Sequence, residues 1–360
     1  MIIAFCGDIM PGGVLPYQQE YASKAVRALL RSADYRVGTL ECAIGDNLPF
    51  DENKMGPNGW KNIVYAREVD LQRVVDLNFN LVSLANNHIF DLGIEGLRNT
   101  IRLLREKGIK FCGAGENIED ALKPCYVDID GLRYAFIGCC FKGLPPWYVE
   151  AADNKKPGIF LADEGSICNV IRKAKAQSDY VIVLPHWGTE YDYVPPRGCV
   201  KLAKVMIDAG ADAIFGSHTH IMNPKLTYKG KPIYFSLGNF LFSDFCLQVP
   251  RPIYYPQTRE EVYRLPVVIN YPNFIEEPKR VVWSKSSRRG VITILQINER
   301  INATCWFTYL NEENVITLYT GFYHYREKVR MWWFGLCNNS TIYHFIIRAY
   351  NSRYNIFRNH

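Results

Sequence analysis

The sequence predicts an α/β fold with mixed sheets. Short apolar runs alternate with stretches of helical periodicity through residue 245, which is the pattern of this fold class. Several runs are apolar at successive positions, as expected for central strands that are buried on both faces. Polar residues recur where the runs end, and open α/β sheets gather their ligands at that edge.

Seven apolar runs are predicted to be strands, and five segments between them are predicted to be helices. The strands are expected at residues 2–7, 36–40, 80–84, 134–138, 180–184, 212–215 and 232–237. The helices are expected at residues 18–31, 67–77, 94–107, 163–176 and 199–209. Asp130-Gly131 and Lys229-Gly230 are typical of hairpin turns, so part of the sheet structure is expected to be antiparallel. Residues 47–60 are expected to form a long loop.

The composition is that of a soluble globular protein with room for one large domain or two. The chain has 360 residues, of which 48% are hydrophobic and 22% are charged. No apolar run reaches the roughly 18 residues that span a bilayer, and the first residues have the pattern of a strand rather than a signal peptide. The eleven cysteines include no CxxC pair, which favours free thiols and a cytoplasmic location.

The basic residues are concentrated in the C-terminal third of the chain. Residues 1–245 contain 27 Lys and Arg and 28 Asp and Glu, whereas residues 246–360 contain 15 and 8. A nucleic-acid-binding body would need a basic face of its own. The main body is therefore not expected to bind nucleic acid.

The sequence divides into three segments. Residues 1–245 are expected to form the main domain, and residues 246–321 a Pro-rich excursion followed by a strand pair at 291–297 and 305–310 that completes it. Residues 322–360 are aromatic and basic and are expected to form two helices, broken near Asn338. The favoured interpretation is that these helices pack their aromatic residues on the body. The alternative is an interfacial helix on an anionic membrane.

Candidate metal ligands follow successive predicted strands. Because the carboxyl ends of parallel strands meet at one edge of a sheet, these side chains are expected to converge. Imidazole and oxygen ligands suit Mn, Fe or Zn, and no sulfur donor is evident. The sequence therefore predicts a divalent metal site. The group comprises two acids, one amide and four of the seven histidines: Asp8, Glu41, Asn87, His88, His186, His218 and His220.

These residues resemble the calcineurin-like metallophosphoesterases in their order along the chain. The residues of the individual motifs are even more similar to those of the CapA family of capsule and poly-γ-glutamate synthesis proteins, over about residues 1–245. The motifs are Gly7-Asp8-Ile9-Met10, Ala85-Asn86-Asn87-His88 with Asp91 and Gly93, Gly113-Ala114-Gly115, the HWGTEY of residues 186–191, the GSHTH of residues 216–220 and the SLGNF of residues 236–240.

The resemblance implies a four-layer α/β/β/α metallophosphoesterase-like sandwich with mixed sheets and a C-terminal extension. It also implies two metals bridged by Glu41. Asp8 and His220 would hold one metal, and the other ligands would hold the second: Asn87, His186 and His218. A bridging hydroxide would attack phosphorus. His88 would protonate the leaving group or stabilise charge on the phosphoryl oxygens.

Two positions depart from the metallophosphoesterase pattern. Met10 stands where that pattern has a histidine, and a thioether is a weak donor to a hard divalent ion. Glu41 stands where it has an aspartate. Both departures look like features of the CapA family. They leave the metal of Asp8 and His220 short of ligands, so one firmly held ion is an alternative to two.

Three further polar residues have two interpretations each. Asp91 could orient His88 or cap the helix that begins near Gly93. Glu190 could contact substrate, support a ligand histidine or be an ordinary surface residue. Asn239 could approach the site or cap a turn.

The resemblance leads us to expect a metal-dependent, phosphatase-like hydrolase of capsule or poly-γ-glutamate synthesis, acting on a phosphorylated substrate or a polyanionic polymer. The alternative is a non-catalytic accessory factor that binds polyanionic polymer or stabilises a synthase complex. Met10 favours this alternative, whereas His88 favours catalysis, because a pure binding protein would not need it.

Overall fold

The computed structural model describes residues 1–46, 61–142, 149–249, 251–271, 275–297 and 301–335. The predicted loop at 47–60 and the second C-terminal helix lie outside these ranges. The α-helices of the described part are α1 Lys24–Arg31, α2 Gln72–Asp76, α3 Gly93–Glu106, α4 Ile118–Leu122, α5 Glu164–Lys175, α6 Arg197–Ala209, α7 Arg259–Arg264 and α8 Gly321–Gly335. Across these ranges, no helix is both long and apolar enough to cross a bilayer.

The strands of the described part form two large sheets and three small ones. They are β1 Ile2–Met10, β2 Tyr35–Leu40, β3 Ala43–Ile44, β4 Tyr65–Ala66, β5 Leu81–Ser83, β6 Lys110–Cys112, β7 Ala114–Gly115, β8 Cys125–Ile129, β9 Leu132–Phe141, β10 Gly158–Ile159, β11 Leu161–Ala162, β12 Tyr180–His186, β13 Ala213–Phe215, β14 Lys225–Tyr228, β15 Lys231–Tyr234, β16 Asn239–Phe242, β17 Phe245–Leu247, β18 Ile253–Tyr254, β19 Val267–Ile269, β20 Lys279–Val282, β21 Arg289–Ile297, β22 Ile301–Leu310 and β23 Ile316–Leu318.

Both large sheets are mixed. The first has the order β23-β22-β21-β1-β2-β5-β6, with β16 also paired to β1. Its strands β1, β2, β5, β6 and β16 are parallel, and β21 to β23 run antiparallel. The second has the order β11-β9-β12-β13-β15-β14, with β8 paired to β9. The predicted hairpins at Asp130-Gly131 and Lys229-Gly230 join β8 to β9 and β14 to β15 in antiparallel pairs.

Three apolar clusters separate four layers. The first lies between the first sheet and α1 to α3 and includes Leu30 and Leu97. The second lies between the two sheets, where the rings of Phe5 and Phe215 stack with centroids 3.8 Å apart. The third joins the second sheet to α5 and α6 through residues such as Met206. Helix, sheet, sheet and helix follow in order, so the predicted four-layer α/β/β/α sandwich is confirmed.

The C-terminal third of the chain supplies both a small sheet and part of the first large sheet. Strands β17 to β20 form a four-stranded sheet within the Pro-rich segment, so this segment is less irregular than its prolines indicate. Strand β21 then pairs antiparallel with β1, and β22 pairs with β21. The strand that carries Asp8 is therefore flanked by the C-terminal part of the chain.

For helix α8, the described part of this segment, the favoured interpretation is wrong, because most of the aromatic side chains that the structure describes there are exposed. Phe322, Tyr325, Trp332 and Trp333 are exposed. Two side chains of α8 that face the protein, Glu327 and Met331, are buried. The buried Glu327 lies 2.7 Å from Arg330 and 3.4 Å from Arg289, so ion pairs help to determine which face of the helix is turned inward.

Candidate metal centre

The parallel strands β1 and β2 bring two carboxylates together at the edge of the first sheet. A Cβ at Gly7 would lie 1.7 Å from the carbonyl oxygen of Gly238, so only glycine allows this close approach. The approach is fixed by the backbone N–H of Asp8, which donates to the same carbonyl at 3.0 Å. Glu41 follows β2 directly, and its backbone N–H donates to the carbonyl oxygen of Ile9 at 2.8 Å. Both carboxylates are fully buried.

Three histidines reach the same point from the second sheet. His186 is the last residue of β12, whereas His218 and His220 lie in the turn after β13. His218 has a φ of 96° and His220 a φ of 52°, backbone angles that residues other than glycine rarely adopt. Such backbone strain is often found at functional sites. The N–H of His218 donates to Asp8 Oδ2 at 3.2 Å, which joins this turn to the first sheet.

One group of candidate ligands consists of Glu41, His186 and His218, with ligand atoms within 4.8 Å of one another. His186 Nε2 lies 3.3 Å from Glu41 Oε1 and 2.9 Å from the side-chain oxygen of Asn87. His186 Nδ1 lies 2.8 Å from the hydroxyl of Ser217, which fixes the ring. The structure thus brings together the residues expected to share a metal, and Ser217 adds a support that no sequence motif indicated.

A second group consists of Asp8, Glu41 and His220 and shares Glu41 with the first. His220 Nδ1 lies 3.9 Å from Asp8 Oδ2 and 3.8 Å from Glu41 Oε2. It also lies 2.9 Å from Asn239 Oδ1, while Asn239 Nδ2 donates to the Ser287 carbonyl. Asn239 therefore lies at the site and contacts a candidate ligand. Met10 packs into the apolar cluster between the first sheet and its helices.

Several buried ligand atoms of these two groups have no hydrogen-bond partner among the described residues: Asp8 Oδ1, both Glu41 oxygens, both His218 nitrogens and His220 Nε2. Buried polar atoms without partners are costly, and such a cluster is what a cation would satisfy. Burial raises the pKa of Asp8 to about 7. The pKa of Glu41 is raised well above its usual value, mainly by burial and secondly by the negative charge of Asp8. The donor set therefore fits one or two divalent metals.

The histidines are held in the form that binds metals. Burial lowers the pKa of His186 and His218 well below the usual value and lowers the pKa of His220 to about 3. Neutral imidazole is the ligand form of histidine. These three rings therefore need to lose no proton when a metal binds near neutral pH.

His88 is part of a buried polar chain beside these groups. Its Nδ1 lies 2.6 Å from Asp91 Oδ2, and Asp91 also pairs with the ammonium group of Lys61. Burial alone would raise the pKa of Asp91, but Lys61 and His88 outweigh burial and hold this pKa below its usual value. The residue at the N-terminal cap of α3 is Leu92, without a side-chain cap. Of the two interpretations of Asp91, the orientation of His88 agrees with the structure.

The chain matches a known bacterial family. The model of the bacterial capsule synthesis protein family PGA_cap matches residues 2–244. The chain belongs to this family. Two relatives are the capsule biosynthesis protein CapA of Bacillus anthracis and the PGA biosynthesis protein CapA of Bacillus subtilis, each 33% identical over 67% and 66% of this chain.

A third relative is a probable polyglutamine synthesis accessory protein of Mycobacterium tuberculosis, 32% identical over 50% of each chain. The matches cover only 60% and 62% of the lengths of the two CapA relatives. The chain thus spans about three fifths of their length.

All candidate site residues from the sequence lie inside the segment that matches the PGA_cap family, but part of the wall around them does not. Tyr271 and Trp283 come from the Pro-rich segment, and their rings lie 5.6 and 4.9 Å from the ring of His220. No motif or strand-end pattern indicated them, because their contacts depend on how distant segments pack. Glu190 is partly buried, and burial raises its pKa to about 7.

Proposed function

We propose that this protein is a metal-dependent hydrolase of the phosphoesterase type that acts in the synthesis of capsule or poly-γ-glutamate polymer. The family membership supports the polymer pathway. The chemistry is supported chiefly by one observation: two buried ligand groups share Glu41, and their inward-facing atoms have no partners among the described residues. We infer that Mn, Fe or Zn binds there.

Each side chain has a distinct part in this proposal. Asn87, His186 and His218 would hold one ion together with Glu41, and Asp8 and His220 would hold the other. Such a metal pair supplies a nucleophile at neutral pH and neutralises charge on a phosphoryl group. Asp91 accepts the Nδ1–H of His88, so His88 in its imidazolium form would carry its second proton on Nε2 and could transfer that proton to a leaving group, which would leave the neutral Nδ1–H ring.

Metal analysis of the purified protein, followed by assays on a phosphoester panel and on poly-γ-glutamate with Mn²⁺, tests the proposal. We expect activity that is lost in His218→Ala together with bound metal. His88→Ala should lose activity but keep metal, because His88 is not among the proposed ligands. His324→Ala, which changes a histidine on α8, is the matched control. Activity that survives both His88→Ala and His218→Ala would rule out the catalytic proposal.

The second candidate is a non-catalytic accessory factor that binds polyanionic polymer or a synthase complex. Met10 favours it, because this side chain packs into the core and leaves the second group with three ligands. The name of the mycobacterial relative is in line with it. If the metal-free protein binds poly-γ-glutamate as tightly as the metal-loaded protein and no substrate is turned over, this candidate replaces the first.

A further inference from the structure

Helix α8 carries a row of exposed apolar side chains, the aromatic stripe, defined as Phe322, Tyr325, Val329, Trp332 and Trp333. Their exposed fractions are 73%, 66%, 42%, 64% and 52%. The spacing of three and four residues places all five on one face of the helix. Large apolar side chains are exposed singly on most proteins, whereas a contiguous row of this kind marks an interaction surface.

The opposite face of α8 holds the helix to the protein. Met331 and Glu327 are buried there. Glu327 lies 2.7 Å from Arg330 and 3.4 Å from Arg289 of β21. Because this face is occupied, the aromatic stripe cannot turn inward without breaking the buried ion pairs.

Basic residues border the aromatic stripe on both sides. By helical geometry, Arg326 lies at one edge of the stripe and Lys328 at the other. Both are exposed, whereas Glu327, the acidic residue of α8, is buried. Residues 336–360 of the sequence add three arginines and no acid. An apolar face between basic borders is the pattern of a helix that lies in a membrane interface.

A groove beside α8 extends this surface. It has a volume of about 780 Å³ and is bounded by Trp306 and Trp332, with Lys225 and Lys328 among its lining residues. The groove thus combines aromatic walls with positive charge. This combination suits lipids with anionic headgroups, which attract basic side chains while the apolar side chains enter the acyl boundary.

We propose that the aromatic stripe docks the protein on the surface of an anionic lipid bilayer. The positive charge of the surface opposes pairing with a second copy of the same surface, since like charges would meet. The inference does not depend on catalysis or on the metal.

Vesicle sedimentation of the full chain, with intrinsic tryptophan fluorescence, tests this proposal. We expect binding to vesicles of phosphatidylcholine with about one third phosphatidylglycerol, and binding at least about tenfold weaker to phosphatidylcholine alone. Trp332→Ser combined with Trp333→Ser should weaken binding to the anionic vesicles at least about tenfold. Arg326→Gln with Lys328→Gln should weaken it about tenfold and reduce its dependence on salt.

Matched controls change equally exposed residues elsewhere. Val267→Ser with Ile269→Ser on β19 controls for lost apolar surface, and Lys173→Gln with Lys201→Gln controls for lost charge. Circular dichroism should be unchanged in all four variants, and thermal unfolding in all except Arg326→Gln with Lys328→Gln, which loses the 3.1 Å ion pair of Arg326 with the buried Glu327. The proposal is overturned if the full chain does not bind anionic vesicles or if the tryptophan variant binds them equally well. Sedimentation velocity that shows a dimer lost in the tryptophan variant, without vesicle binding, would identify a second copy as the occupant instead.

Discussion

At the scale of single residues, the candidate metal centre combines carboxyl groups that hold protons with imidazoles that do not. Burial disfavours the charged form of each group, so it raises the pKa of Asp8 to about 7 and lowers the pKa of His220 to about 3. Without metal, the site is therefore stabilised in its neutral forms. A cation must displace protons from the carboxyl groups but not from the histidines.

This difference predicts how metal binding depends on pH. Between about pH 6 and pH 8 the Asp8 carboxyl, whose pKa is about 7, loses its proton in the metal-free protein, so Mn²⁺ affinity should rise with pH over this range. Calorimetry in two buffers of different ionisation enthalpy should show more protons released per metal at pH 6 than at pH 8. Asp8→Asn removes one of the two carboxyl groups with a raised pKa and should reduce the release at pH 6. An affinity that falls as the pH rises would contradict this assignment of protons.

Asp91 is expected to act through His88 rather than on substrate. Its carboxylate fixes the Nδ1–H tautomer of the ring, and Lys61 and the Val64 N–H hold the carboxylate in place. If the protein is the proposed hydrolase, Asp91→Asn should lower kcat about a hundredfold or more with metal content unchanged. The readout that separates positioning from a general structural role is a double-mutant cycle: adding Asp91→Asn to His88→Ala should cost no further activity.

At the scale of elements, the position of the site depends on how closely β1 approaches the turn at Gly238. A Cβ at residue 7 would lie 1.7 Å from the Gly238 oxygen and 2.9 Å from its carbonyl carbon, and both atoms belong to backbone that cannot rotate away. We expect Gly7→Ala to lower the free energy of unfolding by about 1–3 kcal/mol and to weaken metal binding, because Asp8 is the next residue. Chemical denaturation and metal titration measure the two effects.

Gly165→Ala in α5 is the matched control for this substitution. The nearest atom to its added Cβ is Asp163 Oδ1 at 3.6 Å, which is ordinary contact, so stability should be kept or slightly raised. Equal losses of stability in the two variants would show that the close approach of β1 to Gly238 is not the reason why residue 7 must be glycine.

The sequence indicates strand ends well but helix starts less well. Each strand that carries a candidate ligand is a buried apolar run, and a polar residue at or near its carboxyl end interrupts this run while staying buried. The helix predicted to start at residue 18 instead starts at Lys24, because the Ser23 hydroxyl accepts from the Val26 N–H and a short 3-10 turn precedes it. Tyr271 could not be predicted, because it meets His220 only after the Pro-rich segment folds over the site.

At the scale of the whole molecule, the four layers follow from composition patterns, whereas the orientation of α8 does not. A helix with aromatic residues and intervening basic residues is predicted to pack its aromatic face against the core, because apolar burial is the dominant stabilising effect. In α8 the buried position is taken by Glu327, which has Arg289 of a distant strand as a partner. Such a pairing is invisible until the tertiary contacts are known.

The order of strands predicts that the segment matched by the family model does not fold by itself. Strand β21 lies beside β1, in the interior of the first sheet, and buries five aliphatic side chains: Val291, Ile292, Ile294, Leu295 and Ile297. At about 1.5–3 kcal/mol each, they contribute about as much as the 5–15 kcal/mol that typically holds a domain together. A fragment of residues 1–245 should therefore show no cooperative thermal unfolding by circular dichroism. A chain that ends at residue 320 keeps β21 to β23 and should unfold cooperatively. A 1–245 fragment that unfolds cooperatively at the same temperature as the full chain would show that β21 is dispensable for the fold.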